Sequence, residues 1–194
     1  QIKYMFPKAH ATAYVLMAIR IAWFKVHHPI YYYCAYFSKR ADVFEMETMI
    51  KGPDAIRKRL DEIEEKGFDA TPKEKNLVTI LEIALEMTER GFYFQNFNIE
   101  ESNAVDFKIS EDGKSLIPPF TALDGLGENV ARQIVAAREE APFVTIKEVQ
   151  QRGKVSKALI EKLQLMNVFG DMELGNDKPA KAATQPPSNQ LTLF

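Results

Sequence analysis

The stretch Phe120-Thr121-Ala122-Leu123-Asp124-Gly125-Leu126-Gly127-Glu128-Asn129 carries the reading of the fold. Its first four residues form a short helical entry. Two glycines then flank a leucine, and a periodic helix follows with Val130, Ala131, Ile134, Val135 and Arg138. Gly125 and Gly127 are expected to turn the chain tightly at positive φ, a conformation open to a residue without a Cβ. Leu126 between them should point inward and pin the two helices. With no side chain at either glycine, the N–H groups opening the second helix can close on a phosphate. Arg132, one turn further on, can lie beside that phosphate. The pattern is a helix-hairpin-helix. A plain helix-turn-helix with a glycine turn is the simpler alternative. A nucleotide-binding glycine loop is disfavoured, because no strand feeds the turn and no Lys-Ser/Thr follows it.

Downstream the unit recurs in weaker form. Thr145 to Gln151 reads as a short helix, Arg152-Gly153-Lys154-Val155 as a second hairpin, and Ser156 to Met166 as a helix capped by Ser156. Arg152, Lys154 and Lys157 bring three cations to that hairpin. Two such units are expected to hold a duplex by its backbone without reading bases. The competing reading is a structural helix pair with a solvated charged turn.

Upstream, Phe92, Phe94, Val105, Phe107, Ile109, Leu116 and Ile117 alternate with polar residues, and Glu111-Asp112-Gly113-Lys114 marks a turn between two short strands. Before Gly91 the pattern is helical. Ala9 to about His27 contains neither Gly nor Pro, and Pro29 to Ser38 continues as a tyrosine-rich helix. Ala55 to Lys66 is amphipathic and ends at Gly67. Thr71-Pro72-Lys73-Glu74 has the spacing of a capping box, and Leu77, Ile80, Leu81, Ala84 and Leu85 give the following helix one buried face. The expected fold is mainly α with a small β element (α+β).

The 46% hydrophobic and 27% charged composition is that of a soluble globular protein, with length enough for a real core. Arg20 and Lys25 interrupt the apolar stretch from Ala11 to Val26, which argues against a signal peptide or a membrane span. The single Cys34 suits a reducing cytoplasm, and one Cys with three His cannot build a zinc site. His27 and His28 lack orienting acids, and Asp106 and Asp112 lack convergent partners, so neither a catalytic nor a metal site is expected.

Charge is uneven along the chain. Residues 1–41 hold six Lys and Arg, all three His and no acid, whereas residues 42–112 hold nine bases against eighteen acids. Lys8 and His10 flank the start of the first long helix, whose dipole favours an anion. They read either as contacts to a nucleotide or template phosphate or as plain exposed cations. Arg20 and Lys25, on an otherwise apolar helix, read as partner-facing charges. The chain starts at Gln1 inside a basic, aromatic run and is read as a piece of something longer.

At the other end, Gln190-Leu191-Thr192-Leu193-Phe194 follows a leader rich in Pro, Ala, Asn and Gln. It resembles the pentapeptide Gln-Leu-x-Leu-Phe with which bacterial replication and repair proteins hook the sliding clamp. The alternative is a sticky but idle tail. A leader of about fifteen residues would span roughly 20–25 Å r.m.s., keeping a clamp at high effective concentration.

Taken in order, Phe6-Pro7-Lys8-Ala9-His10-Ala11, the helix through Arg20, Trp23 and Lys25 to His28-Pro29, Gly125-Leu126-Gly127, Lys154-Val155-Ser156-Lys157 and the terminal pentapeptide resemble the C-family bacterial replicative polymerases of PolC type. The resemblance implies residues 1–90 as the end of the fingers, 91–119 as a small β connector and 120–170 as a tandem helix-hairpin-helix module. It further implies 171–189 as a flexible linker and 190–194 as the clamp-binding peptide. It makes Lys8 and His10 candidates for nucleotide-phosphate contact. Gly125, Leu126, Gly127, Arg132, Arg152, Lys154 and Lys157 become candidates for duplex binding, and Gln190, Leu191, Leu193 and Phe194 for the clamp. The implied partners are primer-template DNA, the bacterial sliding clamp and, in the parent enzyme, a deoxynucleotide, with no membrane. The implied setting is the bacterial cytoplasm. No counterpart of the family's palm aspartates is present, so Mg²⁺ is expected of the parent polymerase and no cofactor of this stretch, which alone should be inactive. Asn167 stands where such modules often carry Gly, and Asn tolerates the left-handed conformation. The rivals are a helix-hairpin-helix repair glycosylase, with Lys147 and Glu148 the nearest catalytic candidates, and a non-enzymatic clamp-and-DNA adaptor.

Overall fold

A computed structural model describes residues 7–175. Helices α1 (Lys8–His27) and α2 (Pro29–Lys39) meet at His28-Pro29, and α3 (Met46–Met49) is a single turn. Helix α4 (Pro53–Lys66) leads through a 3-10 turn into α5 (Pro72–Glu89). At the start of α5 the Thr71 side chain accepts from the Glu74 N–H while the Glu74 carboxylate accepts from the Thr71 N–H, the capping box that the sequence predicts.

Strands β1 (Tyr93–Phe94), β2 (Lys108–Ile109) and β3 (Ser115–Ile117) form one sheet in the order β1-β3-β2, with β1 parallel and β2 antiparallel to β3. The β2–β3 turn is organised by Asp112, which accepts from the Ser110 and Tyr93 hydroxyls and from the Lys114 N–H at 2.8 Å. Those donors, Ser110 first, hold its carboxyl well below the usual carboxylate range. Asp106 is taken up by Lys39 at 2.7 Å.

One hydrophobic core runs through all three sequence regions, from Tyr33 and Phe37 through Leu81 and Leu116 to Phe120, Ile134 and Leu163. The β element is therefore a floor for the module that follows as well as a connector. Phe37 packs on Phe94 and Phe107 with ring centroids 5.1 and 5.7 Å apart. The Phe120 N–H donates to Asn103 O, and the Arg138 guanidinium donates to Ile99 O and Ser102 O, both at 3.0 Å.

The module itself comprises a 3-10 turn (Phe120–Ala122), α6 (Glu128–Glu140), α7 (Ile146–Arg152) and α8 (Lys157–Leu165). Asn167 after α8 adopts φ 56°, the left-handed conformation that Asn tolerates. Residues 171–175, expected in the linker, belong to the folded body. Ile146 N–H donates to Glu173 O at 2.9 Å and Lys147 N–H to Leu174 O at 3.1 Å, closing a bridge beside Thr145.

Helix α1 differs from all of this. None of its side chains is buried, and Val15, Met17, Ile19, Trp23 and Val26 stand exposed. Its C-terminal end is fastened by Lys25 to Glu86 at 2.7 Å and by Arg90 donating to Lys25 O at 3.0 Å. Lys25, expected to face a partner, is thus spent within the chain. No helix among the described residues is long and apolar enough to cross a membrane.

Candidate nucleic-acid interface

Two hairpins stand side by side in the module, and their positions correspond residue by residue. Gly125, Leu126, Gly127 and Glu128 in the first match Lys154, Val155, Ser156 and Lys157 in the second. The first residue of each set takes positive φ, 90° at Gly125 and 54° at Lys154. The second is buried, as expected of Leu126 and equally true of Val155. The third is the N-cap of the following helix and the fourth its first residue.

Gly127 does not take positive φ as the sequence reading expects. It lies at φ −74° and ψ 156°, an extended N-cap that any residue can adopt. The physical reason is register: burying Leu126 requires the left-handed step immediately before it, at Gly125. A Cβ at Gly127 would meet nothing within 4 Å, so the space in front of α6 is open.

The two helix starts also differ in capping. Ser156 accepts from the Leu159 N–H at 3.4 Å and Thr145 accepts from the Glu148 N–H at 3.3 Å. Helix α6 has no side-chain cap. Its first-turn N–H groups lie behind an open glycine, the arrangement that receives an anion.

The charged residues sort into three groups. Arg132 pairs with Glu128, Nε to Oε1 2.8 Å and Nη2 to Oε1 2.6 Å, at the mouth of the first hairpin. Lys157 pairs loosely with Glu161 at 3.8 Å and is largely exposed. Lys154 is exposed, with no ion pair among the described residues. Arg152 is a correction. Its guanidinium turns inward and donates to the carbonyls of Ala137, Ala141 (2.7 Å) and Pro142 (3.4 Å), with the Phe143 ring 4.9 Å away. It satisfies the C-terminal carbonyls of α6 and so leaves the set of hairpin cations. Glu148 is similarly engaged, accepting from the Val144 N–H at 2.9 Å.

Sequence reasoning missed two lysines. Lys73 on α5 reaches Asp124 Oδ1 at 2.7 Å, directly before Gly125, and holds that carboxyl below the usual carboxylate range. Lys162 on α8 reaches Asp124 O at 3.5 Å and Glu47 at 3.4 Å. Lys73 was legible only as part of the capping box.

Lys8 opens α1, with its carbonyl accepting from Thr12 Oγ1 at 2.9 Å. The His10 ring packs against Tyr14 at a centroid distance of 4.4 Å. Gln190, Leu191, Leu193 and Phe194 lie outside the described residues. Among the described residues no group of three or more His, Cys, Asp or Glu is placed to hold a metal ion.

A family model described as a helix-hairpin-helix motif matches residues 91–178, the β floor included. The whole chain is 56% identical to DNA polymerase III PolC-type from Oceanobacillus iheyensis, 54% to that from Bacillus subtilis and 53% to that from Streptococcus thermophilus. It spans 12% of the length of each of these relatives. Identity above half along its full extent places this chain in the PolC-type DNA polymerase III family, as a stretch of that polymerase.

Proposed function

We propose that the module binds duplex DNA through its phosphate backbone, with the first hairpin as the principal contact. The observation that carries this is the uncapped start of α6 behind an open Gly127. Lys154 and Lys157 add positive charge at the second hairpin, and Arg132 stands at the mouth of the first. Contacts of this kind fix position without reading sequence. Gly127→Glu places a carboxylate where the phosphate would sit. The fold should tolerate it, because the position has ordinary φ and open space. Duplex affinity should fall on the order of tenfold at low salt, by the same factor for every sequence. A loss that depends on sequence would contradict backbone recognition.

Around this site we read the chain as part of a replicative DNA polymerase that contributes positioning and processivity. In that reading Lys8 and His10 meet the incoming nucleotide or template phosphate. Gln190, Leu191, Leu193 and Phe194 hook the sliding clamp in the bacterial cytoplasm. Nucleotidyl transfer, with its Mg²⁺, belongs to residues of the parent enzyme that have no counterpart here. Deleting Leu193-Phe194 should abolish capture by purified clamp and leave duplex affinity unchanged. Undiminished capture would sink the hook.

A further inference from the structure

We infer that Lys73, which belongs to helix α5 and not to the helix-hairpin-helix module, is a phosphate ligand of the duplex site, held in readiness by Asp124. This rests on the reading of the first hairpin as the principal phosphate contact.

The acids around that hairpin make the case. Asp124 precedes Gly125 and Glu128 follows Gly127, so a phosphate approaching the α6 N–H groups meets a carboxylate on either side. Each carboxylate is matched by one cation: Glu128 by Arg132 at 2.6 Å and Asp124 by Lys73 at 2.7 Å. The two pairs have different origins. Glu128–Arg132 lies within one helix, whereas Lys73 arrives from an element 51 residues earlier in the chain. Both members of the Lys73–Asp124 pair are more than half exposed, so solvent screens their attraction and a stronger anion can displace the carboxylate.

The space for that exchange exists. A cleft of about 410 Å³ opens beside the hairpin, lined by Asp42, Phe44, Lys73, Asp124, Gly125 and Gly127, so that Lys73 is the cation set against two carboxylates there. Lys73 and the open face of Gly127 thus share one cavity. Lys162 also reaches the Asp124 carbonyl from α8 at 3.5 Å, its charge shared with Glu47 at 3.4 Å. A phosphodiester seated there would accept from the α6 N–H groups and draw the Lys73 ammonium from Asp124 by a rotation about its own side chain. The duplex site then extends from the module onto the helical body.

The test is duplex binding by the 194-residue chain, measured across a salt series for Lys73→Ala, Lys73→Arg, Asp124→Asn and Gly127→Glu, with circular dichroism confirming the fold of each. Lys73→Ala should weaken binding about three- to tenfold at low salt and reduce the slope of log affinity against log salt by about 0.9, one phosphate's worth of counterion release. Lys73→Arg keeps a cation and should restore the slope. Asp124→Asn frees Lys73 and removes a neighbouring negative charge, so affinity should hold or rise. Unchanged binding in Lys73→Ala together with a loss in Gly127→Glu would overturn the inference and leave the hairpin reading standing. No loss in either would remove both. Equal losses in Lys73→Ala and Asp124→Asn would show that the pair only fastens the hairpin to α5, which also overturns it.

Discussion

Gly125-Leu126-Gly127 and Lys154-Val155-Ser156 occupy matching positions in the two hairpins, yet almost every residue does its job by different chemistry. At the left-handed step the first hairpin uses Gly at φ 90° and the second a lysine at φ 54°. At the N-cap the first leaves the helix open and the second closes it with Ser156. The i,i+4 ion pair beside each is reversed, Glu128–Arg132 in one and Lys157–Glu161 in the other. The first hairpin presents bare backbone flanked by compensated acids, while the second presents cations on a capped, self-sufficient turn. A shared backbone can therefore offer an anion two kinds of contact, directional N–H groups and diffuse charge.

The largest effect that separates the hairpins concerns a glycine with no turn function. Gly153 lies at φ −77°, where alanine is conformationally welcome. A Cβ there would stand 2.5 Å from Val149 O and 3.0 Å from Ile134 Cγ1. Gly153→Ala should cost about 2–3 kcal/mol of stability in urea denaturation, an overpacking penalty. A neutral result would show that α6 and α7 are free to separate.

Arg152→Ala should follow closely, at about 2 kcal/mol, because the carbonyls of Ala137, Ala141 and Pro142 at the end of α6 lose their shared donor. Lysine cannot fork across several carbonyls, so Arg152→Lys should recover little of the loss. Full recovery by lysine would return Arg152 to the role of a simple hairpin cation. Next comes Gly125→Ala, whose Cβ would meet Leu159 Cδ2 at an ordinary 3.8 Å but at a φ of 90° that L residues rarely adopt. Its expected cost is about 1–2 kcal/mol. The mirror change, Lys154→Gly, relieves strain at the cost of chain entropy and should leave stability within about 1 kcal/mol.

The first hairpin is tied at its turn to α5 by the Lys73–Asp124 ion pair, whereas the second unit reaches the helical body through Lys162 of α8 and Glu47. Lys73 lowers the Asp124 carboxyl, so the folded state binds that proton less readily than the unfolded chain. The resulting stabilisation is complete above the ordinary carboxylate range and is lost as pH falls through the lowered value. For so exposed a pair it amounts to at most about 1 kcal/mol. Asp124→Asn should flatten that part of the acid-unfolding curve. An unaltered curve would mean that the hairpin is held by packing alone.

Local chemistry made much of this fold legible from sequence. Thr71 and Glu74 announced the start of α5, Gly91 its end, and Asp112-Gly113 the β turn, because each signal sits within a few residues of its consequence. The hairpins themselves were visible in glycine spacing and in buried Leu126. The Lys73–Asp124 pair was not, since nothing local links residues 51 positions apart. Arg152 misled because its true partners are backbone carbonyls, which leave no trace in a side-chain pattern. The exposure of α1 was equally hidden, because an apolar helix pattern is the same whether or not this chain supplies the covering surface.

The smallest predicted change is the most pointed, because it makes the first hairpin resemble the second. Gly127→Ser installs at α6 the cap that Ser156 gives α8. The backbone is already extended at φ −74° and ψ 156°, and no atom lies within 4 Å of the new Cβ. Serine is only slightly better than glycine at an N-cap, so stability should rise by a few tenths of a kcal/mol. Duplex affinity should move the other way, since the hydroxyl accepts from N–H groups that otherwise receive phosphate. A more stable protein that binds less well would separate the two uses of a helix start. If affinity survives the cap, charge at the second hairpin carries the contact, and the open turn at Gly127 serves only the fold.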